Sequence, residues 1–350
     1  MSSVLPQTPP KRVLIVKPSA LGDVAGALPV LRGLRRAYPD AHVAWLVSTA
    51  CAPLLDGDSD INELILFDRK KLGHCWRSPE AMGSLFDFRK HLREANFDWV
   101  IDLQGLLRSA VFSRWTQAPL RAGFADAREG ASMFYTHRIR VAAEHTIDRN
   151  ILLARSLGID ARPEDLRLSV QPEAKTFAEN LLRHVGASAG GVLVCVPPTR
   201  WETKLYPAAH WRRVVRRAAE RMPVVLLGSP DESERRLCAE VAEGIEGVTD
   251  LAGQTTIPQM VGLIAASAGV VCCDSAAKFI ATAVGVRSVV LIGPTRAERT
   301  GPYRKGRAIV AKVSCQGCLQ KHCRHRTCME SISPEVVLEA IDAMIHAGVS

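Results

Sequence analysis

The stretch Val13-Leu14-Ile15-Val16-Lys17-Pro18-Ser19-Ala20-Leu21-Gly22-Asp23 decides the fold. Four apolar residues predict a short buried strand. Ser19 to Gly22 predict a tight turn, and Asp23 stands where a helix begins. Behind it Val24, Ala27, Leu28, Leu31 and Leu34 recur at helical spacing, with Pro29 expected to kink the helix or to close a loose first turn. A strand, a Gly-bearing turn and a helix N-terminus place backbone N–H groups and one carboxylate at the carboxyl end of a parallel strand. That edge is where open α/β sheets bind ligands.

The pattern continues outward. Further strands are predicted at 42–47, 63–67, 99–103 and 121–124, with helices starting at 51 and over 85–95, 106–115 and 149–157. Strands alternating with helices are the signature of a mostly parallel sheet. Pro163, Pro172 and the run Ser188-Ala189-Gly190-Gly191 mark a change in character around a helix near 174–185. A second alternating series follows, with strands at 192–196, 224–227, 269–273 and 288–292. Ser333-Pro334-Glu335 opens a last helix, because proline suits the first helical position. The expected organisation is α/β with two Rossmann-like units: residues 1–171, a linker at 172–189, a second unit at 190–332, and a helix at 333–350 returning to the first unit. Two carboxyl-end edges facing each other form a cleft, and clefts between domains favour ligands.

The 350 residues are too many for one ordinary core and ample for two. A hydrophobic content of 47% with 23% charged residues is that of a soluble globular chain. The longest apolar stretch, 260–273, is too short for a membrane span. Residues 1–10 lack the apolar core of a secretory leader, so a cytoplasmic protein is expected. A net charge of +9 points to an acidic partner: a phosphorylated substrate, an anionic membrane face or a nucleic acid. Only 5% of residues are aromatic, and no basic stripe interleaves with them, which counts against nucleic acid. Ten cysteines in a cytosolic chain argue against a disulfide framework.

Four constellations carry chemistry. Asp23 reads as a helix cap, for which aspartate is well suited, or as a general base for an attacking hydroxyl. Pro198-Thr199-Arg200-Trp201-Glu202-Thr203-Lys204 follows the strand at 192–196. Arg200 and Lys204, with Thr199 and Thr203 beside them, suit a pyrophosphate; an ordinary basic surface loop is the alternative. Gly228-Ser229-Pro230-Asp231-Glu232 ends the next strand. Its glycine lets a nucleoside approach the backbone and Glu232 offers acceptors to ribose hydroxyls, unless the segment simply starts a helix. Cys273-Asp274-Ser275-Ala276-Ala277-Lys278 ends the strand at 269–273, where Asp274 and Ser275 either cap a helix or bring a phosphate to its N-terminus. Three such edges in one half point to one diphosphonucleotide held there. Cys315, Cys318, Cys323 and Cys328, with His322 and His325 between them, are of the right types for zinc but not at the spacing of a standard ribbon or finger. They read as a zinc site or as reduced, partly buried thiols in a loop.

These segments resemble the lipopolysaccharide heptosyltransferases of glycosyltransferase family 9 over nearly the whole chain. The resemblance rests on Lys17-Pro18-Ser19-Ala20-Leu21-Gly22-Asp23 against the family's Lys-x-Ser-x-x-Gly-Asp, and on Ala27-Leu28-Pro29. It continues in Asp102-Leu103-Gln104-Gly105-Leu106-Leu107-Arg108, in Ala127-Arg128-Glu129 with Phe134-Tyr135, and in Cys315-x-x-Cys318 to Cys328-Met329 before the Ser-Pro-Glu helix. It implies the GT-B fold and an inverting transfer of L-glycero-D-manno-heptose from ADP-heptose to the Kdo-containing inner core. No cofactor or obligatory metal is implied, and no nucleic acid; the nucleotide sugar is a co-substrate. The acceptor is a lipid-linked anionic saccharide, met peripherally at the cytoplasmic face of the inner membrane.

By the same resemblance Asp23 is the base and Lys204 neutralises the leaving diphosphate. Thr199, Arg200, Thr203, Gly228, Glu232, Asp274, Ser275 and Lys278 hold the donor. Ser19, Gly22, Arg69, Lys70, Lys71, Arg108 and Arg128 meet the acceptor; on charge alone, residues 69–71 with Arg35 and Arg36 suit electrostatic docking at an anionic membrane face. Where the family has Gly-x-x-His after the Asp-Ser/Thr pair, this chain has Ala276 and Phe279. That departure motivates a second reading, a transferase of the same fold for another nucleotide sugar or acceptor. A non-catalytic nucleotide- or zinc-binding module is the third.

Overall fold

The computed structural model describes residues 8–68, 79–187 and 191–346. The chain divides into two compact units, Met1–Leu166 and Arg167–Ser350. In the first, six parallel strands are β1 (Arg12–Val16), β2 (His42–Ser48), β3 (Glu63–Phe67), β4 (Trp99–Asp102), β5 (Leu120–Phe124) and β6 (His137–Ile139), ordered β3-β2-β1-β4-β5-β6. The second holds β7 (Leu193–Val196), β8 (Val224–Leu226), β9 (Val248–Asp250), β10 (Gly269–Cys273), β11 (Ser288–Ile292) and β12 (Gly306–Val310), ordered β12-β11-β10-β7-β8-β9. Counted within each unit, both sheets run 3-2-1-4-5-6, the doubly wound order of dinucleotide-binding folds. The two Rossmann-like units expected from the alternating pattern are present.

The central strands are apolar along their length because helices cover both faces of a parallel sheet. Val13 to Val16 and Val270 to Cys273 have no exposed surface. Registers Val16↔Asp102 in the first sheet and Val196↔Cys272 in the second put the ends of β1 and β4, and of β7 and β10, side by side. At these pairs the chain winds off in opposite directions, which opens a crevice beyond the strand ends.

Several expectations are corrected. Pro29 does not kink one helix: Leu21–Ala25 and Leu28–Ala37 part at Gly26 and Ala27, and Pro29 sits in the first turn of the second, where its missing N–H leaves no bond unmade. The helix expected from residue 51 is a single short turn, Ala52–Leu54. The edge strands β6 and β12 escaped prediction, β6 having only three residues and β12 no apolar run along its whole length. The helix Pro172–His184, in the stretch read as a linker, packs on Ile257–Ala265 of the second unit. The contact is close: a Cβ on Gly262 would meet the Ala174 carbonyl oxygen at 2.4 Å. The last helix, Pro334–His346, buries Val337, Ala340, Ile341 and Met344 in the core of the second unit.

Candidate active site

At the carboxyl end of the second sheet, three loops and a helix converge on one carboxylate. Asp274 directly follows β10 and is 5% exposed. Its Oδ1 accepts a hydrogen bond from Lys278 Nζ at 2.5 Å. Its Oδ2 accepts from Lys204 Nζ at 2.8 Å and from Thr295 Oγ1 at 2.7 Å. Lys204 lies on the short turn Glu202–Lys204 after β7, Thr295 on the loop after β11, and Lys278 in the helix Ala277–Ala283. Lys278 Nζ also donates to the Ser275 carbonyl at 2.9 Å, and Thr199 Oγ1 donates to the Asp274 carbonyl at 3.3 Å. Burial pushes the Asp274 carboxyl up, but Lys278 and Lys204 outweigh it and hold it down at about 2.

Each ammonium also lies over a ring, Lys204 over Trp201 and Lys278 over Phe279, both at 4.4 Å. Two lysines on one carboxylate leave the cluster with a net positive charge. The Lys204 side chain is 14% exposed and that of Lys278 5%, so Lys204 is the cation more open to an arriving anion.

The cysteine-bearing segment supports this cluster from behind. Gln316 Nε2 donates to the Thr295 carbonyl at 2.9 Å, Leu319 N to the Pro294 carbonyl at 2.7 Å, and Thr203 Oγ1 to the Gln320 carbonyl at 2.8 Å. A Cβ on Gly293 would stand 2.6 Å from Met329 Sδ and 2.9 Å from Cys328 Sγ, so a side chain there would have to push these two aside. Burial raises the Cys328 thiol, and Cys315, Cys318 and Cys323 add to the rise. Cys318 and Cys323 are exposed. Among the described residues no three His, Cys, Asp or Glu side chains are grouped to hold a metal ion.

In the first unit, Lys17 Nζ donates to the Leu103 carbonyl at 2.7 Å, joining the loops after β1 and β4. Ser19 is half-buried in the turn, and Gly22 is buried at the start of the following helix. Asp23 is the third helical residue and half-buried. Its Oδ2 accepts from Ala20 N at 3.2 Å, so Asp23 is not the N-cap expected of it, a place Ala20 takes, but reaches back to the cap's N–H from the first turn. Next door Asp102, fully buried, accepts from Tyr135 Oη at 2.8 Å and from the N–H groups of Gln104 and Gly105 at 2.8 and 3.2 Å. Burial raises its carboxyl, and the bonds from Tyr135, Ser109 and the two amides only moderate that rise. The loops after β4 and β5 are laced together by Arg128 N to the Gly105 carbonyl and by Leu107 N to Glu129 Oε2, both at 3.1 Å. Arg128 is exposed on the second of these loops, and Arg108 is exposed in the first turn of the helix Leu107–Trp115.

Lys204, Asp274, Lys278 and Thr199 are therefore brought together. Ser275 is adjacent, its hydroxyl buried beside the Cys272 thiol. Arg200 is exposed on the same loop, whereas Thr203 is 2% exposed and turned inward as a strut. Gly228 ends its strand tightly, a Cβ there lying 3.2 Å from both Ala252 and Pro198. Glu232 is exposed at the head of the helix Glu232–Ala242 and pairs with Arg236. Arg69, Lys70 and Lys71 lie outside the described residues. Of the expected docking pair, Arg35 is bonded to the carbonyls of Pro39, Ala41 and Asp60, and the exposed Arg36 is paired with Asp165. Thr295 was missed by sequence reading, although it shares with Asp274 the signal of a polar residue just past a buried strand.

The chain matches the family model described as glycosyltransferase family 9 (heptosyltransferase) over residues 85–329. Lipopolysaccharide heptosyltransferase 1 of Pseudomonas aeruginosa is 29% identical to it, the match covering 96% of this chain and 98% of the relative. The same-named protein of Escherichia coli K12 is 27% identical over 85% of this chain and 92% of its own. Among solved structures, E. coli heptosyltransferase WaaC with ADP-2-deoxy-2-fluoro heptose aligns with a TM-score of 0.75 at 25% identity, over 95% of this chain and 99% of the other. A family 9 glycosyltransferase from Veillonella parvula aligns with a TM-score of 0.81 at 20% identity, over 96% and 97%.

Proposed function

Because the chain belongs to glycosyltransferase family 9, the heptosyltransferases, we propose that it passes L-glycero-D-manno-heptose from ADP-heptose to the Kdo-containing inner core of lipopolysaccharide. The observation that carries this reading is the cationic cluster of Lys204, Lys278 and Asp274 at the switch point of the second sheet, where a doubly wound fold receives a nucleotide. The solved E. coli relative carrying an ADP-heptose analogue supports the choice of donor.

Chemically, the acceptor hydroxyl oxygen attacks the anomeric carbon while Asp23 takes its proton. The bond from that carbon to the diphosphate oxygen breaks on the opposite face, so the configuration inverts. Negative charge grows on the departing ADP, and Lys204, with Arg200 beside it, neutralises it. Thr199 and Ser275 line the diphosphate, Asp274 lies by the donor sugar, Gly228 leaves room for the nucleoside, and Glu232 accepts from the ribose hydroxyls. Ser19, Gly22, Arg108 and Arg128 serve the acceptor, as do Arg69, Lys70 and Lys71. The enzyme works peripherally at the cytoplasmic membrane face, for which a net charge of +9 suits an anionic, lipid-linked acceptor. Among the described residues no helix is long and apolar enough to cross a membrane.

Ala276 and Phe279 favour one competing reading, a different nucleotide sugar. A thermal-shift panel of ADP-heptose against UDP- and GDP-sugars separates the two. Stabilisation by ADP-heptose is expected, and stabilisation by a non-ADP sugar alone would replace the donor.

A further inference from the structure

The buried ammonium of Lys278 has no obvious place in a diphosphate site, since two of its N–H groups are already committed to Asp274 Oδ1 and the Ser275 carbonyl. Its side chain is 5% exposed, less than that of any other lysine paired to a carboxylate among the described residues. We propose that Lys278 is a positioning residue that neutralises Asp274 from the inner side, so that Lys204, on the outer oxygen, remains available to the diphosphate. The inference rests on the nucleotide reading above and extends it to a residue that does not itself touch the nucleotide.

Charge counting carries the argument. Asp274 is one negative charge in a dry place, and a buried charge must be paired. Were Lys204 its only cation, the cluster would be neutral, and an arriving diphosphate would have to compete with Asp274 for Lys204. With Lys278 on Oδ1 and Thr295 on Oδ2, Asp274 is satisfied without Lys204. The cluster then carries a net positive charge whose more exposed member is Lys204. The helix Ala277–Ala283 fixes the geometry, because Lys278 lies four residues after Asp274 and reaches back over one turn, with the Phe279 ring alongside its ammonium.

The test is a double-variant cycle read by calorimetric binding of ADP to the full chain, a probe that omits the sugar contacts of Asp274. Lys278→Met, which keeps the length and removes the charge, is expected to weaken ADP binding at least tenfold, because Lys204 becomes the only cation on Asp274. Adding Asp274→Asn to it is expected to restore binding to within threefold of wild type, because the anion that captures Lys204 is gone. A purely packing role for Lys278 predicts no such rescue. Unchanged binding in Lys278→Met, or weakened binding that Asp274→Asn does not restore, would overturn the proposal. If Lys278→Met does not fold, Asp274→Asn alone is compared with the double variant: less than a threefold difference in ADP binding is expected, and tenfold or more would overturn the proposal. Absence of ADP binding to the wild type would overturn the nucleotide reading and this inference with it, an outcome distinct from binding that Lys278 does not affect.

Discussion

At the residue scale, one carboxylate organises the second unit. Asp274 is held at about 2 against an ordinary value of 3.8, so its ionised form is favoured by folding. A group with a depressed folded value contributes stability that is fully present above the unfolded value and is lost as pH falls through the folded one. The window is therefore about pH 4 down to about pH 2, and the contribution is about 2 kcal/mol. Urea unfolding across that range is expected to show this loss in the wild type, with a flatter profile in Asp274→Asn. Lys204→Met is expected to lower kcat/KM about a hundredfold or more, the scale of removing one preorganised charge partner from a developing anion. Steady-state kinetics check this, and a change in KM alone would move Lys204 to ground-state binding. Asp23→Asn keeps an acceptor for Ala20 N, so the helix start is expected to hold while turnover falls about a hundredfold or more. Near wild-type turnover in a folded Asp23→Asn variant would leave Asp23 with its part in the helix start alone. Asp274 and Lys204 were legible in the sequence because each follows a run of buried strand residues. Thr295 follows the buried strand β11 in the same way, but a neutral hydroxyl past a Gly-Pro turn is a weaker mark of chemistry than a charge.

At the scale of elements, the loops after β4 and β5 depend on a contact that no sequence pattern displays. A Cβ on Gly123 would lie 2.3 Å from the Tyr135 ring, so only glycine lets that ring lie on β5 and its hydroxyl reach Asp102. Gly123→Ala must displace the ring and leave a buried Asp102 oxygen short of a donor. It is expected to destabilise the protein by about 2 kcal/mol or more, and Tyr135→Phe by about 1–3 kcal/mol. If the two act through the same bond, the double variant measured by chemical denaturation falls well short of their sum; full additivity would break the link. Strands and helices with a clear period, such as Arg12–Val16 and Pro334–His346, were legible from spacing. The edge strands His137–Ile139 and Gly306–Val310 were not, because an edge strand needs neither a continuous apolar run nor a long alternation. That Pro334–His346 buries its apolar face in the core of the second unit was not legible either: an amphipathic face announces that something covers it without saying what.

At the scale of the whole molecule, two sheets of identical strand order present two switch points on one chain. The alternation of apolar runs and helical periods was enough to predict two Rossmann-like units, because each strand of a parallel sheet must be followed by a crossover. The role of the cysteine segment was hidden, since its ties to Thr203 and Thr295 run through backbone carbonyls that any sequence supplies. Gln316→Ala is expected to weaken ADP binding severalfold by loosening Thr295, with calorimetry as the check. The central claim is that the second switch point holds an ADP-sugar whose glycosyl group is passed to an anionic lipid-linked saccharide. Incubating the full chain with ADP-L-glycero-D-manno-heptose and a Kdo-bearing lipid acceptor, and weighing the acceptor by mass spectrometry, tests this most directly. The account predicts an acceptor heavier by one heptosyl unit with stoichiometric release of ADP. An unmodified acceptor with this donor, alongside transfer from a UDP- or GDP-sugar, would contradict it.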